Sequence, residues 1–304
     1  MALTLFSSNR IEILQHKLLQ DLADRPPADP FAAETVVVPT YAMGRWLNLQ
    51  LAQQYGIAAN IGYPQPAQWI WTLAETLLDD LPARDPCTVE ALAWDCFDLL
   101  PEMLSNTTFE PLRVYLVGDD SGQKRWQLAQ RIAYNFDRYL SYRPAMIRAW
   151  DRGEDRHWQA LLWRQLVESR QLSHRVETIE RLVASFDDPA RRERLEAGYR
   201  LFALSSLPPL YFDVVTQLAQ RTEINLYLHS PTDQYWADLE AEKRRARRRL
   251  QHPDADLWSE TGNELLASWG RQGQVFQDML LASDSLETLD VALYQSPGDS
   301  SLLG

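Results

Sequence analysis

The chain has 304 residues, 45% of them apolar, so it is long enough for two domains that each bury a core. Its 30 Lys and Arg against 42 Asp and Glu give a formal net charge of −12. A surface of this sign repels nucleic acid and anionic lipid, so any DNA contact must come from a local basic patch. Two cysteines are too few for a disulfide framework or a four-ligand zinc site, and they indicate a reducing cytosol.

The N-terminus lacks a basic segment followed by an apolar stretch, as a secretory signal would have. No window of the sequence approaches the roughly 18 uncharged apolar residues that a membrane span needs. We therefore expect a cytoplasmic protein without membrane contacts.

The first sixty residues alternate strand and helix patterns. The apolar run 3–6 and the β-branched run 35–38 predict buried strands. Apolar residues three and four apart within 11–22 predict a helix, with Asn9 as its N-cap. A second helix follows the second strand and ends at Gly56. This alternation predicts an α/β fold, a parallel sheet with helices packed on it.

The pattern from Pro66 to Gly198 is helical, with short turns and almost no alternation of apolar and polar residues. Strand patterns return at 200–204 and 224–228, and Pro208 and Pro209 can start a helix between them. The economical architecture is one α/β domain, split in sequence, that carries an inserted helical domain. The predicted limits are 1–65 and 199–304 for the α/β domain and 66–198 for the insertion.

The last third of the chain contains a charged segment, 242–262. Within it lies a basic run, 243–249, that either attracts phosphates or is a solvated loop. The final residues are typical of a linker, so we expect this chain to be the front piece of a longer protein. Between the charged segment and the final residues, the sequence predicts a helix and a strand. The helix is anchored by Leu265, Leu266, Trp269 and Met279, and the strand lies at 291–293.

The loop after the first strand, 7–10, is where a phosphate-binding loop would lie. It has neither glycine nor lysine, so nucleotide hydrolysis there is improbable and a helix cap is the simpler interpretation. Asp119 and Asp120 follow an apolar run and imitate a magnesium-binding pair, but without a phosphate loop such a pair has no nucleotide to serve, so the sequence favours the end of a helix followed by a turn. The histidines lack metal-ligand spacing, and no nucleophile motif occurs, so we expect no catalytic residue and no metal site.

Eleven tryptophans are more than a chain of this length usually contains. Trp69 and Trp71 are two positions apart, so on a helix they diverge by about 200° and cannot both face inward. One of them is either a stacking surface for a base or a packing contact between domains. Arg143 and Arg175, taken alone, are ordinary solvated arginines.

Several motifs occur together in one order and resemble the N-terminal region of the RecC family, the gamma subunits of exodeoxyribonuclease V (RecBCD). The similarity extends from about residue 4 to residue 300. GIAANI at 56–61 and LLASWG at 265–270 are the most specific of these motifs. The series, read from the N-terminus, is Ser8-Asn9-Arg10, GIAANI, Pro64 and Pro66 with Trp71, the segment 136–144 from Phe136 to Pro144, Leu207-Pro208-Pro209 and LLASWG.

The resemblance implies an inactive superfamily 1 helicase-like domain, 1A, with the helical domain 1B inserted, in an N-terminal fragment of a longer subunit. It implies a non-catalytic role in DNA repair and recombination, lining a single-strand channel and contributing to Chi recognition. RecB and RecD are the implied partners and use ATP and magnesium, whereas no cofactor is expected in this chain. The alternative is a structural scaffold for RecB with no sequence readout.

The resemblance also implies a set of DNA-channel positions. Trp71, Asp137, Arg143 and Arg175 keep the residue type of the family. Elsewhere the chain departs from it, which predicts a response to a different sequence, or to none. Pro39, Tyr41, Arg45 and Gln65 replace glutamine, threonine, glutamine and leucine, and Tyr134 and Asn135 replace an aspartate–leucine pair.

Overall fold

The structure, a computed structural model, describes residues 3–26, 29, 31–82, 84–236, 239–240, 246, 250, 263–283 and 288–295. The chain divides into two compact units. The first, here the sheet unit, comprises Met1–Trp69, Glu196–Leu207 and Leu218–Gly304. The second, the helical unit, comprises Ile70–Leu195 and Pro208–Gln217. The domain limits given above from the sequence stay a prediction.

The sheet unit is built on a six-stranded sheet in which every described pairing is parallel. The predicted α/β class is therefore confirmed. The strands are β1 (Leu3–Ser8), β2 (Glu34–Val37), β3 (Ile61–Gly62), β4 (Gly198–Phe202), β5 (Glu223–His229) and β6 (Thr288–Ala292). Their order across the sheet is β3-β2-β4-β5-β1-β6, and in it Leu3 lies opposite Ile224 on one side and Thr288 on the other.

The described helices follow the periodic patterns of the sequence and are, in chain order, α1 (Ile11–Asp24), α2 (Tyr41–Tyr55), α3 (Pro66–Leu77), α4 (Val89–Met103), α5 (Glu110–Tyr115), α6 (Gln123–Tyr142), α7 (Pro144–Asp151), α8 (Trp158–Arg170), α9 (Arg175–Ser185), α10 (Pro189–Arg192), α11 (Pro209–Ala219), α12 (Glu264–Trp269) and α13 (Arg271–Leu281). A short 3₁₀ turn, Thr107–Phe109, precedes α5. None of the helices that the structure describes is long and apolar enough to cross a lipid bilayer.

The core of the sheet unit forms where α1 and α2 pack on the strands. Apolar residues of α1 recur at steps of four, so Leu14, Leu18 and Leu22 share one face and are buried together. The Phe6 and Tyr227 rings of neighbouring strands stack with centroids 5.1 Å apart. Complete burial of one leucine or phenylalanine stabilises the fold by about 1.5–3 kcal/mol, so this cluster fixes the strands on which the sites below depend.

Asn9 is not the N-cap of α1, and that prediction is wrong. Arg10 occupies the cap position without a side-chain cap hydrogen bond, and its backbone N–H donates to Ser8 Oγ at 3.2 Å. The Asn9 side chain instead exchanges hydrogen bonds with the backbone of Gln295. Gly56, by contrast, ends α2 in the left-handed conformation with φ of 80°, as its pattern predicts.

The helix predicted across 265–279 is in fact two helices that meet at Gly270. A side chain at that position would clash, because a Cβ would lie 2.6 Å from both the Leu266 carbonyl and the Trp236 ring. Leu265 and Trp269 are exposed rather than anchors, since 84% of the tryptophan is accessible. The charged segment 242–262, which includes the basic run 243–249, lies outside the described residues apart from Ala246 and Leu250.

Candidate functional site

A groove opens on the exposed side of α2 in the sheet unit, here called the α2 groove. It encloses about 430 Å³. Tyr41 is 76% exposed, and the Arg45 side chain makes no ion pair within the described residues. The amide of Asn48 likewise has no hydrogen-bond partner there. The lining residues are Tyr41, Gly44, Arg45, Asn48, Leu49 and Tyr63.

The start of α2 is fixed by a cap, which aims the first residues of the groove. Thr40 has extended backbone angles, and its Oγ1 accepts a hydrogen bond of 3.2 Å from the Met43 N–H. Tyr41, Arg45 and Asn48 are four and three positions apart, so they follow one helix face. Because the cap fixes where α2 begins, the Tyr41 ring, the Arg45 guanidinium and the Asn48 amide lie in one row along the helix.

The floor of the groove is a close contact between Gly44 and Tyr63. A Cβ at Gly44 would lie 2.6 Å from Tyr63 Cβ, so only glycine lets the loop after β3 approach α2 this closely. The Tyr63 hydroxyl is buried, and no group among the described residues hydrogen-bonds to it. Burial, with the nearby Glu34 carboxylate, raises the pKa of Tyr63 to about 12, so the phenol is neutral at pH 7.

Pro39 and Gln65 flank the groove at the carboxyl ends of β2 and β3. The two segments are joined by a 3.0 Å hydrogen bond from the Val38 N–H to the Pro64 carbonyl. Gln65 is exposed, and its carbonyl accepts the Trp69 N–H at the start of α3. The structure therefore places the four channel positions of the sheet unit along one sheet edge, where open α/β sheets bind ligands.

The β1–α1 loop is held by internal hydrogen bonds. Ser8 is fully buried, and its Oγ donates to the Leu293 carbonyl at 2.9 Å. The Ser8 carbonyl accepts the Ser230 N–H, and Ser7 Oγ donates to Asp290 at 3.3 Å. These groups are used to fasten β1 to its neighbours, and with no glycine or lysine the loop does not fit a nucleotide phosphate.

Asp119 lies in the turn between α5 and α6. Its two carboxylate oxygens accept the N–H groups of Lys124 and Arg125 at 3.0 and 2.8 Å. Desolvation by itself would raise the pKa of Asp119, but these two bonds and the charges of Lys124 and Arg125 together outweigh it and hold the pKa below its usual value. The turn interpretation of 119–120 is thus the correct one. Within the described residues, no group of three or more His, Cys, Asp or Glu side chains is placed to hold a metal ion.

Trp69 and Trp71 do diverge on α3. Trp69 is buried, and its ring meets the Tyr199 ring edge-on at 5.4 Å. Trp71 is half-buried, and its Nε1 donates to the Glu75 carboxylate at 3.1 Å. Of the two rings, Trp71 is therefore the one with an accessible surface.

Arg175, the first residue of α9, is the centre of a closed cluster in the helical unit. Its Nε and one terminal nitrogen contact Asp85 at 2.8 and 2.7 Å. The other terminal nitrogen donates to Asp137 at 3.0 Å and Ser141 at 3.1 Å. A longer bond of 3.5 Å reaches the Cys87 carbonyl. The guanidinium thus donates four hydrogen bonds and makes ion pairs with two carboxylates in this group of residues, here called the Arg175 cluster.

The electrostatics of the Arg175 cluster keep the guanidinium charged. Burial opposes the charge, but the Tyr211 oxygen and the carboxylates of Asp85 and Asp137 prevail and raise the Arg175 pKa above its usual value. The interpretation of Arg175 as a solvated surface arginine is wrong, because only 13% of its side chain is exposed. The structure does bring together two of the channel positions, Asp137 and Arg175.

The other channel positions of the helical unit lie on or just after α6. Tyr134 is exposed, and Asn135 is half-buried beside it. Arg143 is exposed and follows the helix, with its guanidinium 5.8 Å from the centre of the Tyr139 ring. Asp137, on the same helix, is the member directed to Arg175.

The comparisons with known proteins decide the family. A family model described as "RecC, N-terminal domain" matches residues 3–304. The chain belongs to the RecC family. RecBCD enzyme subunit RecC of Escherichia coli K12 is 30% identical over 97% of this chain, and that of Haemophilus influenzae is 29% identical over 98%. The chain spans 29% and 32% of the lengths of these two RecC proteins, respectively.

A more distant bacterial relative supports the same assignment. RecBCD enzyme subunit RecC of Mycolicibacterium smegmatis is 29% identical over 94% of this chain, which spans 26% of that protein. The resemblance to the RecC family, first inferred from short motifs, is therefore confirmed over nearly the whole chain.

Sequence reasoning missed several residues of this RecC-family chain. Asn48 could have been found, because it shares the helix face of Tyr41 and Arg45. Tyr63 carried no signal, since its place depends on the contact with Gly44. Asp85 and Ser141 also carried none, because they lie 90 and 34 positions from Arg175.

Proposed function

We propose that this chain serves as the non-catalytic, DNA-binding N-terminal region of a RecC subunit in a RecBCD-type helicase–nuclease, acting in double-strand break repair and recombination. The RecB and RecD partners supply the ATP-driven motors, and RecB supplies the nuclease. The observation that carries the proposal is the RecC match over residues 3–304. The relatives bear the printed name "RecBCD enzyme subunit RecC".

The β1–α1 loop supports a non-catalytic role. Hydrolysis of a nucleotide at a helicase-like sheet needs a loop whose backbone and lysine can reach the phosphates. Here the Ser7 hydroxyl donates to Asp290 within β6, and the Ser8 hydroxyl and the Asn9 amide donate to carbonyls just after β6. The same edge that serves ATP in a motor serves here to hold the sheet together.

The α2 groove supports contact with a single DNA strand. The exposed Tyr41 ring offers a face on which any base can stack. Arg45 offers donors only, and Asn48 offers both a donor and an acceptor to a base edge. The groove thus combines attachment that tolerates every sequence with groups that can discriminate among bases.

The same groove favours a readout that differs from that of well-studied RecC proteins. Proline at position 39 has neither the donor nor the acceptor of a glutamine side chain. Arginine at position 45 matches the acceptors of guanine best. We infer that the complex containing this chain responds to a sequence other than the known Chi octamer.

The alternative function, a scaffold for RecB without sequence readout, is favoured by one observation. All three nitrogens of the Arg175 guanidinium hydrogen-bond within the protein and only 13% of the side chain is exposed, so this residue is poorly placed to reach a DNA phosphate. In that case the helical unit contributes shape rather than DNA contacts.

The decisive experiment reconstitutes the complex from the full chain with the RecB and RecD proteins of the same organism. DNA carrying the known Chi octamer is processed, and the positions where cleavage changes are mapped. We expect no response to that octamer by the unmodified complex. Replacing Pro39→Gln, Tyr41→Thr, Arg45→Gln and Gln65→Leu together is expected to create one.

The matched control for this experiment is Arg156→Gln, which removes an exposed arginine outside the groove. A full response of the unmodified complex to the octamer would contradict the different readout. Failure of the fourfold variant to gain any response, with unwinding intact, would favour the scaffold. ATP turnover by the chain alone, unaffected by Ser8→Ala, would contradict the non-catalytic assignment or reveal a contaminant.

A further inference from the structure

The outer face of α6 carries a row of alternating arginines and tyrosines, here called the α6 ladder. Arg131, Tyr134, Arg138 and Tyr142 are three, four and four positions apart, which places them on one side of the helix. The Arg138 guanidinium lies 5.8 Å from the Tyr134 ring centre and 5.6 Å from that of Tyr142. Arg131 lies 5.7 Å from the Tyr134 ring.

The ladder does not serve the core. The opposite face of α6 buries Ile132, Phe136 and Leu140 completely or nearly so, whereas 43% of Tyr134 and 52% of Tyr142 are exposed. One hydrogen bond, 3.2 Å from the Arg138 guanidinium to the Tyr134 hydroxyl, joins the row. Exposed pairs of this kind contribute only about 0.2–0.5 kcal/mol each to a helix, so folding does not explain the arrangement.

The charge of the ladder is unbalanced. Within the described residues, Arg131 and Arg138 pair with no carboxylate, and neither does Arg143 just beyond the helix. The nearest acid in sequence, Asp137, is bound to Arg175 instead. Three unneutralised arginines therefore lie in one short stretch of a chain whose formal net charge is −12.

We propose that the α6 ladder is a sequence-independent binding surface for single-stranded nucleic acid. This inference rests on the proposed function and adds Arg131, Arg138 and Tyr142 to it. Tyrosine rings stack with any base, and arginines neutralise phosphates. Eight residues at 1.5 Å separate Tyr134 from Tyr142 by about 12 Å, a span that matches two to four nucleotides.

The charge complementarity also selects this occupant over a protein or a membrane. An acidic peptide would pair with the arginines but has no flat surface for two exposed rings. Stacked guanidinium groups and rings match the alternation of phosphate and base along a single strand. The ladder therefore holds the strand, while any base discrimination belongs to other residues such as Arg45.

The test measures binding of a fluorescein-labelled oligothymidylate to the full chain by anisotropy over a range of salt concentrations. We expect Tyr134→Ala and Tyr142→Ala each to weaken binding about tenfold. Arg138→Ala should lower the slope of log affinity against log salt by about 0.7, the value for one phosphate contact on a single strand. A mixed-sequence strand should show the same losses.

Matched controls come from elsewhere in the helical unit. Tyr115→Ala removes a tyrosine that is 50% exposed, and Arg156→Ala removes an exposed arginine. Neither should change affinity or salt slope. Tyr142→Phe should keep wild-type affinity because the ring remains, and Arg138→Lys should keep the salt slope. Circular dichroism and urea unfolding verify that each variant folds.

Two failures can be told apart. If all the ladder variants bind oligothymidylate as tightly as the wild type, the α6 ladder is not the binding surface, and the proposed DNA-binding function still stands. A chain that binds no oligothymidylate at any salt concentration overturns the ladder and the DNA-binding function together. Equal losses in the Tyr115 and Tyr142 variants would also overturn the ladder, because the effect would not be specific to α6.

Discussion

Arg175 in the helical unit and Arg45 in the sheet unit are the same residue type, and the family resemblance implies a DNA-contact role for each, yet their surroundings are opposite. Only 13% of the Arg175 side chain is exposed, and all three of its guanidinium nitrogens donate hydrogen bonds to the protein. Arg45 is exposed in a groove and has no ion pair among the described residues. The first arginine is committed to the fold, whereas the second is available to a ligand.

A residue type shared with the family is therefore a weaker guide to function than the number of hydrogen-bond donors on that residue that the protein itself leaves unused. The Arg175 guanidinium has two carboxylates and a hydroxyl around it. To reach a phosphate it would have to leave the half-buried Asp85 and Asp137 without their partner, which costs up to about 3 kcal/mol. The strongest tests of this difference compare stability with DNA response at the two arginines.

The largest effect is expected from Arg175→Ala. Removing the guanidinium leaves Asp85 and Asp137 without an ion-pair partner, so the free energy of unfolding should fall by about 3 kcal/mol. Urea unfolding followed by circular dichroism measures it. A loss below about 0.5 kcal/mol, the range of ordinary surface changes, together with weaker DNA binding would show that Arg175 belongs to the channel after all.

The thiol of Cys87 reports on the same cluster independently. The Cys87 backbone carbonyl accepts a hydrogen bond from Arg175. Burial, with Asp85 nearby, raises the pKa of the Cys87 thiol to about 12, so the thiol is protonated and reacts slowly with alkylating reagents. Alkylation of Cys87 should therefore be slow in the wild type and faster in Arg175→Ala. Cys96, also buried, is the internal control and should stay slow in both proteins.

A smaller loss is expected from Gly44→Ala at the floor of the α2 groove. The new methyl group would lie 2.6 Å from Tyr63 Cβ, so overpacking of about 1–3 kcal/mol outweighs the gain of about 1 kcal/mol in helix propensity. Thermal unfolding measures the net loss. An increase in stability would mean that the loop after β3 moves freely and that the groove has no fixed floor. Ala42→Gly, at an exposed position of the same helix, is the matched control.

The acid dependence of stability should reveal a second closed cluster beside Arg175. Burial opposes ionisation of Asp151, but hydrogen bonds from His174 at 3.1 Å and Trp163 at 2.9 Å prevail and hold its pKa below the usual value. A lowered carboxyl pKa stabilises the fold above the unfolded value of about 3.9. The stability advantage of wild type over Asp151→Asn should therefore shrink as pH falls below about 4.

Urea midpoints of both proteins between neutral and acid pH check this dependence. Asp155→Asn is a second variant for the same measurement, because hydrogen bonds from the His157 N–H and the Trp150 ring also lower the pKa of that half-buried carboxylate and predict a shift of the same sign. A stability difference between wild type and Asp151→Asn that is the same at every pH would contradict the linkage.

The smallest effect on stability is expected from Arg45→Ala. An exposed arginine without an ion pair contributes no more than about 0.5 kcal/mol, so the urea midpoint should not move. The DNA response of the reconstituted complex should nevertheless change. A large loss of stability with an unaltered DNA response would reverse the comparison between the two arginines.

The sequence predicted what depends on neighbours along the chain. The helices and strands of the sheet unit follow from apolar spacing, and the end of α2 follows from Gly56. Trp269 was predicted to anchor a helix because the motif around it is apolar, but the residue is exposed. The break between the two helices at Gly270 depends on how closely Trp236 approaches, which local sequence does not indicate. Local patterns indicate which element forms but not which face meets another part of the chain.

The candidate site was predictable only where one helix carries it. Tyr41 and Arg45 lie four positions apart, so their shared face can be deduced from helix geometry. The partners of Arg175 come from other segments, and no pattern in the sequence links them to α9. Asn9 was misassigned for the same reason, since its partner Gln295 is 286 positions away.

The position of β1 between β5 and β6 has a consequence for how the protein is made. The bond from Ser8 to the Leu293 carbonyl joins groups 285 positions apart. At about 5–20 residues per second, a ribosome needs about 15–60 s to produce that partner after β1 emerges. Until β5 is made, the apolar strand Leu3–Ser8 has no neighbour on either side, and until β6 is made one of its sides stays open. We expect the nascent chain to need chaperone protection of its first strand until its last described strand is synthesised.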